Sequence, residues 1–103
     1  MEGKMNQPDF ESVFQRVAAF QVKQFPNQSV HSKLVHLKRE VDELIQAPDD
    51  AHEWADCLLL ILGAASKAGF TPETLLRHAD AKMEINESRS WGEPDADGIH
   101  HHL

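Results

Sequence analysis

The chain has 103 residues, 41% of them hydrophobic and 26% charged, the proportions of one small soluble domain. A net charge of −7 excludes a general binder of nucleic-acid polymers or anionic membranes, because phosphate contacts need a basic surface. The single cysteine, Cys57, cannot form an internal disulfide and suits a reducing cytoplasm. No segment has the charged start and continuous apolar core of a signal peptide. The longest apolar stretch, residues 54–65, is interrupted by Asp56 and falls short of the ~20 residues that span a bilayer. A cytoplasmic protein without membrane contact is expected.

Four helices and no strand are predicted, in one domain covering 1–103. The first covers about 9–25, with Phe10, Val13, Phe14, Val17 and Phe20 at helical spacing, and Pro26-Asn27-Gln28 stops it. The second covers about 29–45, with Ser29 as N-cap and an apolar stripe of Val30, Leu34, Leu37, Val41 and Leu44. The third covers about 50–68, with Asp50 as cap, Glu53 at the N3 position of a capping box, and Gly69 as the stop. It is apolar nearly all round, so Trp54 and Cys57 are expected in a core and part of the helix against a second subunit. The fourth covers about 71–88, opening on Thr71-Pro72-Glu73 and carrying Leu75, Leu76, Ala79 and Met83 inward. Residues 92–103 read as a polar tail, with His100, His101 and His102 in its mobile end. The architecture is an all-α four-helix bundle, completed by oligomerisation.

Four carboxylates carry the chemistry. Glu40 and Glu43, then Glu53 and Asp56, form two i, i+3 pairs on either side of the break Gln46-Ala47-Pro48-Asp49. Residues three apart share a helical face. If the break folds the two helices antiparallel, 43 meets 53 and 40 meets 56, because both pairs share the midpoint 48. Four carboxylates at one spot repel unless protons or cations intervene, and hard oxygen ligands suit Mg²⁺ or Mn²⁺. The bland alternative is solvated helix faces, with Glu53 only a capping residue.

A second constellation is Lys82, Asn86 and Arg89, at i, i+4, i+7, three donors on one stripe that suit phosphate. Its alternative is a solvated face with Lys82 paired to a neighbouring glutamate. Lys33 and His36 lie on the polar stripe of the second helix with Glu40 and Glu43 and could reach a substrate held there, the alternative being a plain exposed stripe. Trp91 offers a flat face for a base. Cys57 has no nucleophile context, and no phosphate-cradling glycine loop, zinc pattern or Ser-His-Asp candidate is present.

The segments Leu37-Lys38-Arg39-Glu40-Val41-Asp42-Glu43-Leu44 and Pro48-Asp49-Asp50-Ala51-His52-Glu53-Trp54-Ala55-Asp56 resemble the E-x-x-E and E-x-x-D motifs of the MazG-like all-α NTP pyrophosphatases. Ala68-Gly69-Phe70-Thr71-Pro72-Glu73 and Lys82-x-x-x-Asn86-x-x-Arg89-x-Trp91 resemble one branch, the dATP/dGTP pyrophosphohydrolases (MazZ) of phages and bacteria. The resemblance is firm over about 29–92. Arg39 stands where many MazG-like enzymes carry a further acid, which fits this branch.

The resemblance implies Mg²⁺-dependent hydrolysis between the α- and β-phosphates, with Mn²⁺ able to substitute. Products would be dAMP or dGMP and pyrophosphate, and a phage could use the dGMP to make 2-aminoadenine DNA. Glu40, Glu43, Glu53 and Asp56 would hold the metal and act in catalysis, with Glu43 or Glu53 as general base. Lys82, Asn86 and Arg89 would bind phosphates, and Trp91, Lys33 and His36 the base. It implies a homo-oligomer, dimer or tetramer, in the cytoplasm (the host's, if phage-encoded). The alternatives are a house-cleaning NTP pyrophosphatase of other base preference and a non-catalytic helical oligomerisation module.

Overall fold

The computed structural model describes residues 7–103, which form four helices and, among those residues, no strand beyond an isolated bridge: α1 (Phe10–Gln24), α2 (Val30–Gln46), α3 (Ala51–Lys67) and α4 (Pro72–Ser88). The expected all-α class and the four expected segments are therefore present, each within a residue or two of its expected ends. Among the described residues, no single helix is long and apolar enough to cross a membrane.

The helix ends follow from short-range chemistry. Asp9 caps α1 by accepting from the Ser12 N–H at 2.7 Å, and the Ser12 hydroxyl in turn accepts from the Asp9 N–H. Ser29 caps α2, its hydroxyl accepting from the Ser32 N–H at 3.0 Å. At α3 the expected capping box is replaced by a simpler cap. Asp50 Oδ1 accepts from the His52 N–H at 2.9 Å, which leaves Glu53 out of the capping arrangement. Gly69, at φ 99°, closes α3 by a paired C-terminal motif: the Gly69 N–H donates to Ser66 O and the Phe70 N–H to Ala65 O.

Contacts within the chain gather it into two units, one ending at Glu73 and the other covering Thr74–Leu103. In the first, α1 and α2 both pack against α3. Phe14, Leu62 and Ala64 form the buried apolar centre. Gly63 lets α1 come close, since a Cβ there would stand 2.8 Å from Gln21 Oε1 and 3.4 Å from Val17 Cγ1. The buried Gln21 amide donates to Gly63 O at 2.9 Å and ties the two helices together.

Three expectations need correction. Trp54 is not a core residue: it is 58% exposed and donates its indole N–H to Pro48 O at 2.9 Å, bracing the α2–α3 turn. Its position in the first turn of α3 puts it beside the loop rather than under α1. On α4, Leu76 and Met83 are 51% and 52% exposed and Ala79 is exposed, so of the residues expected to face inward only Leu75 is half-buried. Residues 92–103 are not a loose tail. The chain reverses at Gly98 (φ 80°) and pairs back, with Gly92 N–H donating to His101 O and Leu103 N–H to Ser90 O, each at 2.8 Å. Asp95 fixes the turn, its Oδ1 accepting from the Asp97 and Ile99 N–H groups and its Oδ2 meeting His101 Nε2 at 2.8 Å. An Asx turn followed by glycine is the signal that composition alone conceals.

Candidate active site

The break at 47–50 folds α3 back along α2, and this brings acids from the two helices together. Glu40, Glu43 and Glu53 each present a carboxylate oxygen within 4.8 Å of the others. Asp56 stands outside this group and is exposed, yet its charge still acts on both Glu43 and Glu53. Aspartate is one methylene shorter than glutamate, so at the same i, i+3 spacing that brings Glu40 to Glu43 it reaches less far. Although it interrupts the apolar run 54–65, Asp56 is exposed and so carries no desolvation cost.

The cluster is electrostatically strained. Glu43 is pushed above the usual glutamate range, first by the charge of Glu40, then by desolvation and by a hydrogen bond between the two carboxyls. Asp56 adds to the rise and His36 opposes it. Glu53 is also raised, first by desolvation and then by Glu43, Glu40, Asp50 and Asp56. Its Oε1 is buried without a hydrogen-bond partner. A buried carboxylate oxygen left unpaired among like charges is costly, and a divalent cation relieves both costs at once. The donor set therefore fits a hard cation, with oxygen ligands from two rigid helices.

Cys57 lies beside the same acids. Burial raises its thiol first, followed by Glu40, Glu53, Asp56 and Glu43, so it stays protonated and is no nucleophile.

Next to the acids, an apolar groove of about 880 Å³ runs between the three helices. Val13, Val17 and Phe20 of α1, Lys33 and His36 of α2, and Leu59 and Leu60 of α3 line it. His36 joins the groove to the acids, its Nε2 lying 3.6 Å from Glu40 Oε2. Lys33 is only 5% exposed, its ammonium 5.7 Å from the centre of the Phe25 ring. Desolvation lowers its pKa, and the charge of Lys67 adds to that. Sequence reasoning missed Arg16 and Lys23, which put two further cations on the groove wall. Their signal was available, because Arg16 falls at i+3 from Val13 on the face read as apolar.

In the second unit, Asn86 and Arg89 are half-buried and Lys82 is exposed. Asn86 O accepts the Trp91 indole N–H at 3.0 Å, and Arg89 Nη1 lies 3.4 Å from His102 Nδ1. Trp91 can thus offer a base only its ring face, since its single polar atom is occupied.

Comparison with known proteins matches this arrangement to one group. The sequence pattern of the dATP/dGTP pyrophosphohydrolase family covers residues 13–103. A dATP/dGTP diphosphohydrolase of Salmonella phage PMBT28 is 38% identical over 80 residues, 77% of this chain and 26% of that protein. The Eaa protein of Salmonella phage P22 is 40% identical over 47 residues, 46% of this chain and 15% of that protein. The chain thus spans about a quarter or less of the curated relatives it matches. Among solved structures, a MazG-like pyrophosphohydrolase of cyanophage S-2L, bound to dGDP and three catalytic Mn²⁺ ions per active site, superposes with a TM-score of 0.78. It is 28% identical, and the match covers 94% of this chain and 99% of that one. The chain belongs to the dATP/dGTP pyrophosphohydrolase family.

Proposed function

We propose that this chain hydrolyses dATP and dGTP between the α- and β-phosphates, giving dAMP or dGMP and pyrophosphate. The observation that carries the reading is the convergence of Glu40, Glu43 and Glu53 within 4.8 Å, with Glu53 Oε1 buried and unpaired. Glu40, Glu43, Glu53 and Asp56 would hold Mg²⁺ or Mn²⁺, which supplies Lewis-acid polarisation of a phosphoryl oxygen and a more acidic bound water. Whichever of Glu43 and Glu53 keeps an oxygen free of the cation accepts the proton of the attacking water, as a general base must. Lys82, Asn86 and Arg89 are assigned to the phosphates by their spacing and donor chemistry, stabilising charge on the departing pyrophosphate. The groove beside His36 suits a purine: it is apolar, with Phe20 and Phe25 on its wall and Lys33 and His36 to orient polar edges. Trp91 is assigned a stacking role on the same substrate.

A panel of dNTPs and NTPs with Mg²⁺, read by pyrophosphate release and product chromatography, tests this. Turnover of dATP and dGTP above the pyrimidines is expected. Turnover of other nucleotides alone would establish the broader house-cleaning activity instead, and none at all with a folded protein would leave a non-catalytic helical module. Since dGMP is one product, the reading extends to supply of 2-aminoadenine deoxynucleotide in a phage-infected cytoplasm. Loss of 2-aminoadenine from phage DNA on deletion of the gene would support that, and its persistence would overturn it.

The same reading includes a homo-oligomer. Leu58, Leu59 and Ile61 of α3 and Leu76 and Met83 of α4 are each exposed in the single chain. So much exposed apolar surface on a small monomer marks an interface. Sedimentation equilibrium at micromolar protein is expected to give a dimer or tetramer, and a monomer would refute it.

A further inference from the structure

The C-terminal hairpin is built against the end of α4, next to two of the residues assigned to the phosphates, and beyond Trp91 none of its residues has a role. Its last pairing sets Trp91 opposite His102, held by the Gly92–His101 and Ser90–Leu103 backbone bonds. The His102 ring meets the Trp91 ring edge-on, with centroids 6.2 Å apart and planes at 87°. Its Nδ1 lies 3.4 Å from Arg89 Nη1. A guanidinium only donates, so Nδ1 must carry the lone pair and the ring proton must sit on Nε2.

We propose that His102 is a positioning residue for Arg89: its Nδ1 accepts one guanidinium N–H and aims the others at the substrate phosphates. The inference rests on the assignment of Arg89 to phosphate binding. A free arginine side chain loses several rotamers when it engages an anion. An acceptor already in place fixes part of that freedom before substrate arrives, and four of the five N–H donors stay available. The hairpin is suited to the task. Asp95 pins the turn through His101 and two backbone N–H groups, and His100 Nδ1 donates to Gly92 O at 2.6 Å. Gly92 itself permits the close return, because a Cβ there would stand 3.2 Å from Leu103 Cδ2 and 3.4 Å from His101 O. The three histidines expected to form a mobile end thus have separate jobs, two closing the hairpin and one facing Arg89.

The test is a double-mutant cycle on dGTP hydrolysis with Mg²⁺. His102→Phe keeps a ring against Trp91 and deletes the acceptor, whereas His102→Asn places an acceptor oxygen near the Nδ1 position. His102→Phe is expected to raise KM about three- to tenfold, the worth of one hydrogen bond, with kcat changing less. His102→Asn is expected to restore most of the loss. In an Arg89→Ala background His102→Phe should cost nothing more. Full additivity of the two changes, or a His102→Phe enzyme with wild-type KM, would overturn the proposal while leaving Arg89 as a phosphate ligand. A wild-type KM in Arg89→Ala alone would instead remove the Arg89 assignment. Independently of activity, the Arg89 Nη–H resonance should shift in His102→Phe and stay near its wild-type position in His102→Asn. An unmoved resonance in His102→Phe would also refute the contact.

Discussion

Replacing Glu43 by Gln is expected to lower dGTP hydrolysis by at least about a hundredfold, the scale of losing one charged group from a site built on charge stabilisation. The same substitution is expected to make the metal-free protein more stable. Both outcomes come from one cause. Glu43 is raised first by the charge of Glu40, and it raises Glu53 in turn, so it sits in a field of like charge. An amide keeps the size of the side chain and deletes the repulsion, so the folded state gains. It also removes one anionic ligand, so the cation is held less well and activity falls. This pairing of lost function with gained stability is what a site strained for a ligand produces. Circular dichroism and thermal denaturation in EDTA, beside pyrophosphate release with Mg²⁺, measure the two halves. An active Glu43→Gln enzyme would remove the metal-site reading. An inactive variant that is also less stable would mean that Glu43 supports the fold rather than the chemistry.

The parts of this arrangement that the sequence made legible are those set by local chemistry and by symmetry about a turn. Ser29, Asp50 and Gly69 mark helix ends because their short side chains, or the lack of one, satisfy terminal backbone groups. The meeting of Glu43 with Glu53 followed from their equal distance to position 48, a count that needs only two antiparallel helices. What could not be read this way depends on how far a side chain reaches and on what covers a surface. Asp56 missed the tight cluster, its side chain being one methylene shorter than a glutamate's. Trp54 found Pro48 O rather than a core, a choice between two favourable outcomes for an amphipathic ring. Leu76 and Met83 lie on a helical stripe but are exposed, and periodicity locates a stripe without saying whether anything covers it. The hairpin was hidden because its residues are polar and its order comes from Asp95, a single Asx turn and a glycine of positive φ.

Divalent cation should stabilise the protein strongly at neutral pH and not at all in acid. The sign follows from the raised carboxyls. A group whose folded pKa lies above its unfolded value binds more protons when folded, so its stabilising effect is complete below the unfolded pKa and is lost as pH rises through the folded one. For Glu43 and Glu53 that window opens in the usual glutamate range and closes above it. In EDTA, their contribution to the melting temperature is therefore expected to fall as pH rises from acid toward neutral. Asp95 works the other way. Its pKa is lowered by the hydrogen bond from His101 and by backbone N–H groups, so its contribution is lost as pH falls. The difference between wild type and a Glu43→Gln, Glu53→Gln double variant cancels that opposing slope and isolates the acids. With Mn²⁺ at a hundredfold excess over Kd, binding to the folded state is worth about 2.7 kcal/mol. Each kcal/mol moves the midpoint of a chain this size by about 4–8 °C. A rise of roughly ten to twenty degrees is thus expected at neutral pH for wild type, at fixed protein concentration, and none for the double variant. Below the carboxylate range the protons occupy the ligands, and the same Mn²⁺ should leave the midpoint unmoved. A shift of equal size in the double variant would place the cation elsewhere, and no shift in wild type at neutral pH would leave the buried Glu53 oxygen without the partner argued for it.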